Sequence, residues 1–425
     1  MNLGERIELR VESLAHGGRG VARHDGCVVF VALAAPGDLV EAVITKVQKR
    51  FAEASVARVL EAGASRREPG CPAFGRCGGC QWLHVGGAAQ LEAKDRGLRE
   101  SLARIGKVTV EQFEPPVGAP PGEEFAYRSR AVLRGRASES GVVLGFLTEG
   151  TREVVALPGT CRVLEPILDR AARELAARRW PPGPFKLELT AAGEEAHLLV
   201  QGDGDPRAYR RALEGFPCVV LDGRGRVRHE APRDLRYEEE VTLGARTLRY
   251  LLRPGAFSQV HRSQNRRLIA KVLEYAGALQ GARVLDLFCG AGNLSLPLAL
   301  EAAAVTGIDV SPEAVDDARE SAKASGLTNC EFLAGDAARV LAQRPGPGPR
   351  VAVLDPPRSG AAELMGPLAA LGPERIVYVS CNPATLARDA ALLASSGYLP
   401  SRAVAIDMFP QTYHVEAVLL LERRG

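Results

Sequence analysis

From about Gly255 onward the chain alternates short, nearly continuous apolar runs with longer helical stretches. The runs are Arg283–Phe288, Ala304–Asp309, Val351–Asp355 and Arg375–Ser380. A strand that is apolar on both faces must be covered on both, and a parallel sheet between layers of crossover helices does this. The pattern predicts a doubly wound α/β unit over 255–425. Ligands of such sheets bind in the crevice outside the carboxyl ends of the strands. The residues just after each run are therefore where function is expected.

Those ends carry chemistry. The first run leads into Cys289-Gly290-Ala291-Gly292-Asn293 and then a helix; glycines there let the backbone turn sharply and come close to a ligand. The next run ends in Asp309, at the spacing of a carboxylate that accepts hydrogen bonds from ribose hydroxyls. Ser295 stands where a dinucleotide fingerprint has its third glycine, so the fuller Gly-x-Gly-x-x-Gly pattern is not met. Asp355-Pro356-Pro357-Arg358 follows the third run and Ser380-Cys381-Asn382-Pro383 the fourth. A single cysteine is most often a small buried hydrophobe, but one at a strand's carboxyl end beside a cofactor crevice is a candidate nucleophile. The segment Asp407 to Ala417 adds His414 and Glu416 as candidate bases.

The first sixty residues read differently. Short alternating strands at Arg6–Val11, Cys27–Val31 and Asp38–Val43, separated by glycine turns, predict a small β-barrel of the OB type. Nine cysteines, an odd number, lie in a chain whose Met1–Arg10 segment has no apolar run behind a basic one. A cytoplasmic protein is expected, with cysteines serving metal or catalysis rather than a disulfide framework. Cys71, Cys77 and Cys80 fall within ten residues, too dense for packing. Zinc sites commonly use two Cys-x-x-Cys hooks and here there is one, whereas iron–sulfur clusters take four thiolates at irregular spacing. The fourth ligand must be distant, with Cys161, Cys27 and Cys218 as candidates. The Cys-x3-Cys-x2-Cys spacing of radical enzymes is missing.

A net charge of +3 and a pI of about 8.4 exclude a purely electrostatic nucleic-acid binder, so any RNA grip must be local. Arg128, Arg130, Arg134 and Arg136 share one face of an expected strand and would hold phosphates, with Tyr127 or Phe125 stacking on a base. No apolar stretch is long enough to span a bilayer.

Taken together the motifs resemble known ones. His16-Gly17-Gly18-Arg19-Gly20-Val21-Ala22, with Val31 and Pro36-Gly37-Asp38, resembles the TRAM domain, a small RNA-binding barrel. Asp286 to Asn293 resembles the S-adenosylmethionine motif of class I methyltransferases, with Asp336 placed for the adenine amine. Asp355-Pro356-Pro357-Arg358, Ser380-Cys381-Asn382-Pro383, Phe409-Pro410-x-Thr412-x-His414-x-Glu416 and Phe257-Ser258-Gln259-Val260 are similar to the RNA uracil-5-methyltransferase family, over nearly the whole chain. The resemblance implies a multidomain protein: a TRAM-like RNA-binding barrel over 1–60, a central β-rich domain with the cysteine cluster over 61–254, and a Rossmann-like class I methyltransferase domain over 255–425.

It also implies roles. Cys381 is the nucleophile and Glu416 the base, with His414 as runner-up. Gln259, Phe288, Asn293, Asp309, Asp336 and Asp355 line the cofactor or substrate pocket. Cys71, Cys77, Cys80 and Cys161 hold a structural [4Fe-4S] cluster. The partner is RNA, with no membrane and no obligate protein partner; family members with both barrel and cluster mostly act on 23S rRNA, and tRNA is the alternative. Two positions depart from the family pattern: His261 stands where Asn is frequent, and Asp309 where Glu is frequent. The chemistry explains the need for two groups. Carbon 5 of uracil attacks a sulfonium methyl poorly until a thiolate adds at carbon 6 and makes an enolate; a base must then remove the carbon 5 proton so that the cysteine can leave. Methylation of an exocyclic amine, suggested by the Asp-Pro-Pro tetrapeptide, and a non-catalytic RNA-binding factor are the competing readings.

Overall fold

The computed structural model describes residues 1–343 and 348–424. Strands β1 (Arg6–Leu14), β2 (Gly20–His24), β3 (Cys27–Ala32), β4 (Leu39–Val47) and β5 (Phe51–Glu61) close into a barrel in the order β1-β2-β3-β5-β4. Alternation does the work: Ile7, Leu9 and Val11 point inward onto Val29, Val31, Val40 and Ile44, while their neighbours face water. The apolar alternation of the sequence marks three of these strands; β2 and β5 are the additional ones that complete the closure.

The cysteine-bearing stretch 62–86 forms no regular strand or helix. Helix α1 (Gly87–Ser101) follows and ends in a wider π-type turn over Leu102–Gly106. The proline-rich connector is not a free linker. Strand β6 (Gln112–Phe113) pairs at the far edge of the large sheet described below, and the Val117 N–H donates to the carbonyl of Ala405 at 2.8 Å.

A seven-stranded sheet occupies the middle of the chain: β7 (Arg130–Ser138), β8 (Gly141–Leu147), β9 (Val154–Ala156), β10 (Gly183–Ala192), β11 (Glu195–Gly202), β12 (Cys218–Leu221) and β13 (Val227–Ala231), ordered β13-β12-β11-β10-β7-β8-β9. Helix α2 (Pro166–Ala176), with proline at its first turn where no N–H is needed, buries Leu168, Ala171, Ala172 and Leu175 in the same core as Leu133, Leu187 and Leu198 of the sheet. A short helix α3 (Pro206–Ala212) precedes β12. The hairpin β14 (Tyr237–Leu243) and β15 (Arg246–Leu252) leaves this sheet.

The α/β unit contains α4 (Arg262–Ala276), β16 (Arg283–Leu287), α5 (Ser295–Ala299), β17 (Ala304–Asp309), α6 (Pro312–Ala324), β18 (Cys330–Ala334), α7 (Ala337–Gln343), β19 (Val351–Leu354), α8 (Ala362–Ala370), β20 (Arg375–Ser380), α9 (Pro383–Ser395), β21 (Tyr398–Ile406) and β22 (Glu416–Arg423). Its sheet runs β18-β17-β16-β19-β20-β22-β21-β6, with β18 to β20 parallel and β22 antiparallel to both neighbours. Successive side chains go to opposite faces, so two cores form. Val284, Val305, Val353 and Val377 bury with Leu268 and Val272 of α4 on one face; Leu285, Leu287, Ile308 and Leu354 bury with Leu364 of α8 and Leu386 of α9 on the other.

Residues 61–254 divide their apolar side chains among several cores. Leu98, Leu102 and Val110 join the α9 face of the α/β unit, and Tyr237, Val241, Leu248, Tyr250 and Leu252 join the α4 face. The hairpin is also tied to α6, where Leu251 N donates to Ser321 Oγ at 2.9 Å.

Candidate active site

The register of the large sheet lines up the residues that the sequence singles out. Leu287 pairs with Ile308 on one side and Leu354 on the other, so Phe288, Asp309 and Asp355 stand together at the carboxyl edge. On β20, Ser380 pairs with Ala417 of the antiparallel β22. Continuing that register by one residue sets Cys381 opposite Glu416. Two groups far apart in sequence thus meet because one strand ends where its antiparallel neighbour begins.

The glycine loop after β16 is tightly built. Phe288 takes φ 62°, an uncommon backbone for a side chain of its size, and Gly292 has φ 90° in a place where a Cβ would lie 2.4 Å from Leu296. Asp309 holds the loop: its carboxylate accepts from the N–H of Gly290 at 2.9 Å and from that of Ser311 at 2.9 Å. Beside it Val310 is 73 % exposed, an apolar face next to a ribose-type carboxylate. Sequence reasoning passes over Val310, because an isolated surface valine carries no signal. Asp336 is exposed and accepts the Arg339 N–H at 2.9 Å at the start of α7. Asn293 forms a reciprocal amide pair with Asn265 of α4, at 2.8 and 3.0 Å. Asn265 is also silent in the sequence; only the packing of α4 brings it there. Gln259 is buried in the loop that enters α4.

Buried carboxyl groups dominate the electrostatics. Asp286 is pushed up to about 7, by burial first and then by the charges of Asp355 and Asp309, against a 2.5 Å hydrogen bond from Ser295. Its Oδ1 is buried without a hydrogen-bond partner, which suits a cationic ligand group such as the ammonium of S-adenosylmethionine. Asp355 is likewise raised to about 7 by burial. Glu416, 2 % exposed, is raised well above the usual carboxylate range by burial and by Asp355, and Arg358 opposes this. Its Oε1 also has no partner.

Burial pushes the Cys381 thiol up to about 11, with Glu416 and Asp355 adding to the rise; the Arg358 guanidinium opposes it. The free enzyme holds a thiol. A second opposing influence is the N-terminus of α9, since Cys381 immediately precedes Asn382, whose side chain caps that helix by accepting the Ala384 N–H at 3.1 Å. The Asn382 amide also donates to the Arg358 carbonyl at 3.0 Å, which joins the Asp-Pro-Pro-Arg turn to the cysteine turn. His414 lies with its ring nitrogens 3.4 Å from Arg358 Nη2, and burial together with that charge lowers it to about 3. An imidazole held that low is a weak base at neutrality.

The four sequence-predicted cysteines, Cys71, Cys77, Cys80 and Cys161, line one small cavity together with Phe74, Leu83, Phe146 and Leu157. Cys27 lies on β3 and Cys218 on β12, away from it. Among the described residues no three His, Cys, Asp or Glu side chains converge closely enough for a single metal ion; the thiols ring a space instead. Burial raises Cys77, Cys80 and Cys161, with Cys80 reaching about 12, and the sulfurs repel one another when ionised. Main-chain N–H groups of Gly79, Val163 and Leu164 serve the Cys77 and Cys161 sulfurs. Such N–H···S bonds accompany cluster ligands.

The arginine strand differs from expectation. Tyr127 is 5 % exposed, stacks on His261 at 4.8 Å and donates its hydroxyl to the Pro410 carbonyl at 2.9 Å, so it has no face free for a base. Phe125 has the Arg162 guanidinium 3.9 Å above its ring. Arg130 is paired with buried Glu188 at 2.7 Å, and Arg128 lies within electrostatic reach of Cys77, Cys80 and Cys161. Arg134 and Arg136 remain on the outer face of β7. Alternation holds for Arg130, Arg134 and Arg136 within β7, but Arg128 precedes the strand, and neither the carboxylate on β10 nor the thiols near Arg128 can be read from it.

Comparison with known proteins agrees with this geometry. Residues 2–57 match the TRAM domain, 279–345 a methyltransferase domain and 350–424 the tRNA (Uracil-5-)-methyltransferase family. A Pseudomonas aeruginosa protein named 23S rRNA (uracil(1939)-C(5))-methyltransferase RlmD is 37% identical, covering 99% of this chain and 95% of its own. A protein of the same name from Alkalilimnicola ehrlichii is 38% identical, covering 99% and 97%. The crystal structure of the Pyrococcus abyssi tRNA (uracil-54, C5)-methyltransferase with S-adenosyl-L-homocysteine superposes with a TM-score of 0.74 at 25% identity, over 97% of this chain and 99% of that one.

Proposed function

The chain belongs to the family of S-adenosylmethionine-dependent RNA uracil-C5 methyltransferases, and on that premise we propose that its substrate is a uridine of 23S rRNA and that Cys381 and Glu416 carry the covalent chemistry. The relatives named for 23S rRNA are 34–38% identical, against 25% for the Pyrococcus abyssi tRNA enzyme. That tRNA enzyme matches the full length of the chain, so architecture by itself does not choose the RNA; sequence identity carries the preference.

The observation behind the mechanism is the opposition of Cys381 and Glu416 beside the cofactor crevice. S-adenosylmethionine supplies the electrophilic methyl group, held by Gln259, Phe288, Asn293, Asp309, Asp336 and Asp355. The target uracil leaves any stack to bring carbon 6 to the Cys381 sulfur. The Cys381 thiol gives its proton to solvent water, Arg358 and the α9 N-terminus favour the thiolate left behind, and its addition at carbon 6 pushes electrons to carbon 5, which takes the methyl. After methylation Glu416 takes the carbon 5 proton, and the electrons of that bond expel the Cys381 thiolate. Glu416 acts in this step as the carboxylate, and burial with an unpartnered oxygen makes that carboxylate a strong proton acceptor.

The cysteine ring is read as the seat of a [4Fe-4S] cluster held by Cys71, Cys77, Cys80 and Cys161. A cluster needs room between its ligands, which fits thiols around a cavity rather than at a point, and its cationic irons would relieve their mutual repulsion. It would serve as a cross-link between the loop 62–86 and the central sheet.

Methylation of unmodified 23S rRNA and tRNA transcripts, followed by nucleoside mass spectrometry, tests the reading. The label is expected in 5-methyluridine from 23S rRNA. Label in an exocyclic amine would contradict the chemistry, and label only in tRNA would reverse the choice of substrate.

A further inference from the structure

Gln411 is an unusual residue to find five positions before the proposed base. It is 1 % exposed and has φ 71°, a left-handed backbone that side-chain-bearing residues avoid. Non-glycine residues kept in that region persist only where their surroundings over-determine them, and they concentrate at functional sites.

Every polar group of Gln411 is engaged, and the partners come from separate parts of the chain. Its carbonyl accepts the N–H of Gln81 at 3.0 Å and of Trp82 at 2.9 Å, the two residues that follow Cys80. Its own N–H donates to Gln90 Oε1 of α1 at 2.9 Å. Its side-chain Oε1 accepts from Gln90 Nε2 at 3.0 Å and from Arg67, and its Nε2 donates to the Glu124 carbonyl at 3.0 Å. On either side the same loop is held by Lys94, buried against Asp407 at 2.5 Å and donating to the Phe409 carbonyl at 3.0 Å. Trp82 in turn donates to the Gly18 carbonyl of the barrel at 2.9 Å. Barrel, cysteine loop and α1 therefore converge on one residue of the loop that delivers Glu416.

We propose that Gln411 is a positioning residue for the release step: it fixes the 407–416 loop against the cysteine loop and α1, and so sets where the Glu416 carboxylate stands relative to carbon 5 of the methylated adduct. None of its partners belongs to the cofactor crevice. Loss of the hub affects proton removal and leaves cofactor binding, thiolate addition and methyl transfer in place. The inference rests on the reading of Glu416 as the base.

The test uses the full-length protein, transcribed 23S rRNA and methyl-labelled S-adenosylmethionine. Gln411→Gly removes the side chain while tolerating the positive φ, and Arg67→Met removes one donor to that side chain together with the Arg67 bond to the Leu83 carbonyl. Turnover of Gln411→Gly is expected to fall about tenfold to a hundredfold, the cost of a small misplacement of a reacting group. A covalent protein–RNA band carrying the labelled methyl is expected to accumulate on denaturing gels, with cofactor affinity by calorimetry unchanged. Arg67→Met should show the same band at lower level, and it decides the matter if Gln411→Gly does not fold. A purely structural role would lower all steps and yield no methylated adduct; that result, or wild-type turnover in both variants, overturns the proposal. Glu416→Gln run alongside separates the two claims: no adduct there sinks the base assignment, whereas adduct there but not in the Gln411 and Arg67 variants sinks the positioning role alone.

Discussion

In the cofactor crevice burial raises Asp286, Asp355, Cys381 and Glu416, and in the cysteine cavity it raises Cys77, Cys80 and Cys161, yet the two sites are assembled in opposite ways. In the crevice Phe288, Asp309, Asp355, Cys381 and Glu416 stand at or just beyond strand ends, and pairing register brings them together. In the cavity Cys71, Cys77 and Cys80 come from a stretch without regular structure, and Cys161 from a loop far along the chain. The first site is positioned by the strands of the large sheet. The second sits on a loop with no strand or helix of its own, held by contacts such as the Gln81 and Trp82 N–H groups on the Gln411 carbonyl. The two regions should therefore respond differently when a single residue is removed.

The largest effect is expected at Cys381. Cys381→Ala should lower single-turnover methyl transfer by roughly three orders of magnitude or more, as when an enzyme loses its nucleophile, with S-adenosylmethionine affinity and melting temperature nearly unchanged. A collapse of the fold would show that the crevice is not the self-supporting site of the comparison.

Cys80→Ser should do the reverse. Anaerobically purified wild-type protein is expected to be brown and to carry roughly four irons per chain; the variant should lose the iron and the colour and melt at lower temperature. Because Gln81 and Trp82 hold the Gln411 carbonyl, it should also accumulate methylated adduct. Stoichiometric zinc without iron in the wild type would end the cluster assignment.

A smaller effect concerns RNA. Arg134→Ala and Arg136→Ala should each reduce the slope of log binding constant against log salt by about one, the loss of one phosphate contact. Arg130→Ala should change that slope less and stability more, since it removes one of the two cations, with Lys186, that hold the buried Glu188 carboxylate. Equal slopes for all three variants would put the phosphate contacts elsewhere.

The smallest effect is on stability against pH. The folded pKa of Glu416 lies above its ordinary value of 4.5. Below that value folded and unfolded chains are both protonated and the contribution is fully present. As pH rises the unfolded chain ionises first, and stability is lost until the folded pKa is passed. Glu416→Gln removes this loss. It should melt above the wild type near pH 8, with the difference shrinking toward pH 4, as followed by calorimetry. A difference that grows at low pH would mean that Glu416 is ionised in the fold.

The same contrast decides what can be read from the sequence. Apolar runs specify a parallel sheet, and a parallel sheet specifies where its ligands bind, so Cys381 is identifiable from its place at the end of a run. The Cys71, Cys77, Cys80 triplet signals a metal site, but nothing in spacing distinguishes Cys161 from Cys27 or Cys218; that choice comes from family resemblance. Residues that act through tertiary contact are silent. Gln411, Lys94 and Asn265 look like ordinary polar positions until α1, α4 and the 407–416 loop are packed together. The partners of Tyr127 and Arg130, His261 and Glu188, are silent for the same cause, because they lie on elements far away in sequence.

The central claim is that Cys381 forms a covalent bond to the substrate base while Glu416 waits to remove a proton. RNA in which uridine is replaced by 5-fluorouridine tests it most directly, since fluorine at carbon 5 cannot leave as a cation and the release step is blocked. Intact-mass and peptide-mass analysis of wild-type protein incubated with this RNA and S-adenosylmethionine is predicted to find one adduct, carrying both fluorine and the transferred methyl, on the peptide that contains Cys381. An adduct mapped to another residue, or one that still forms with Cys381→Ala, would contradict the account.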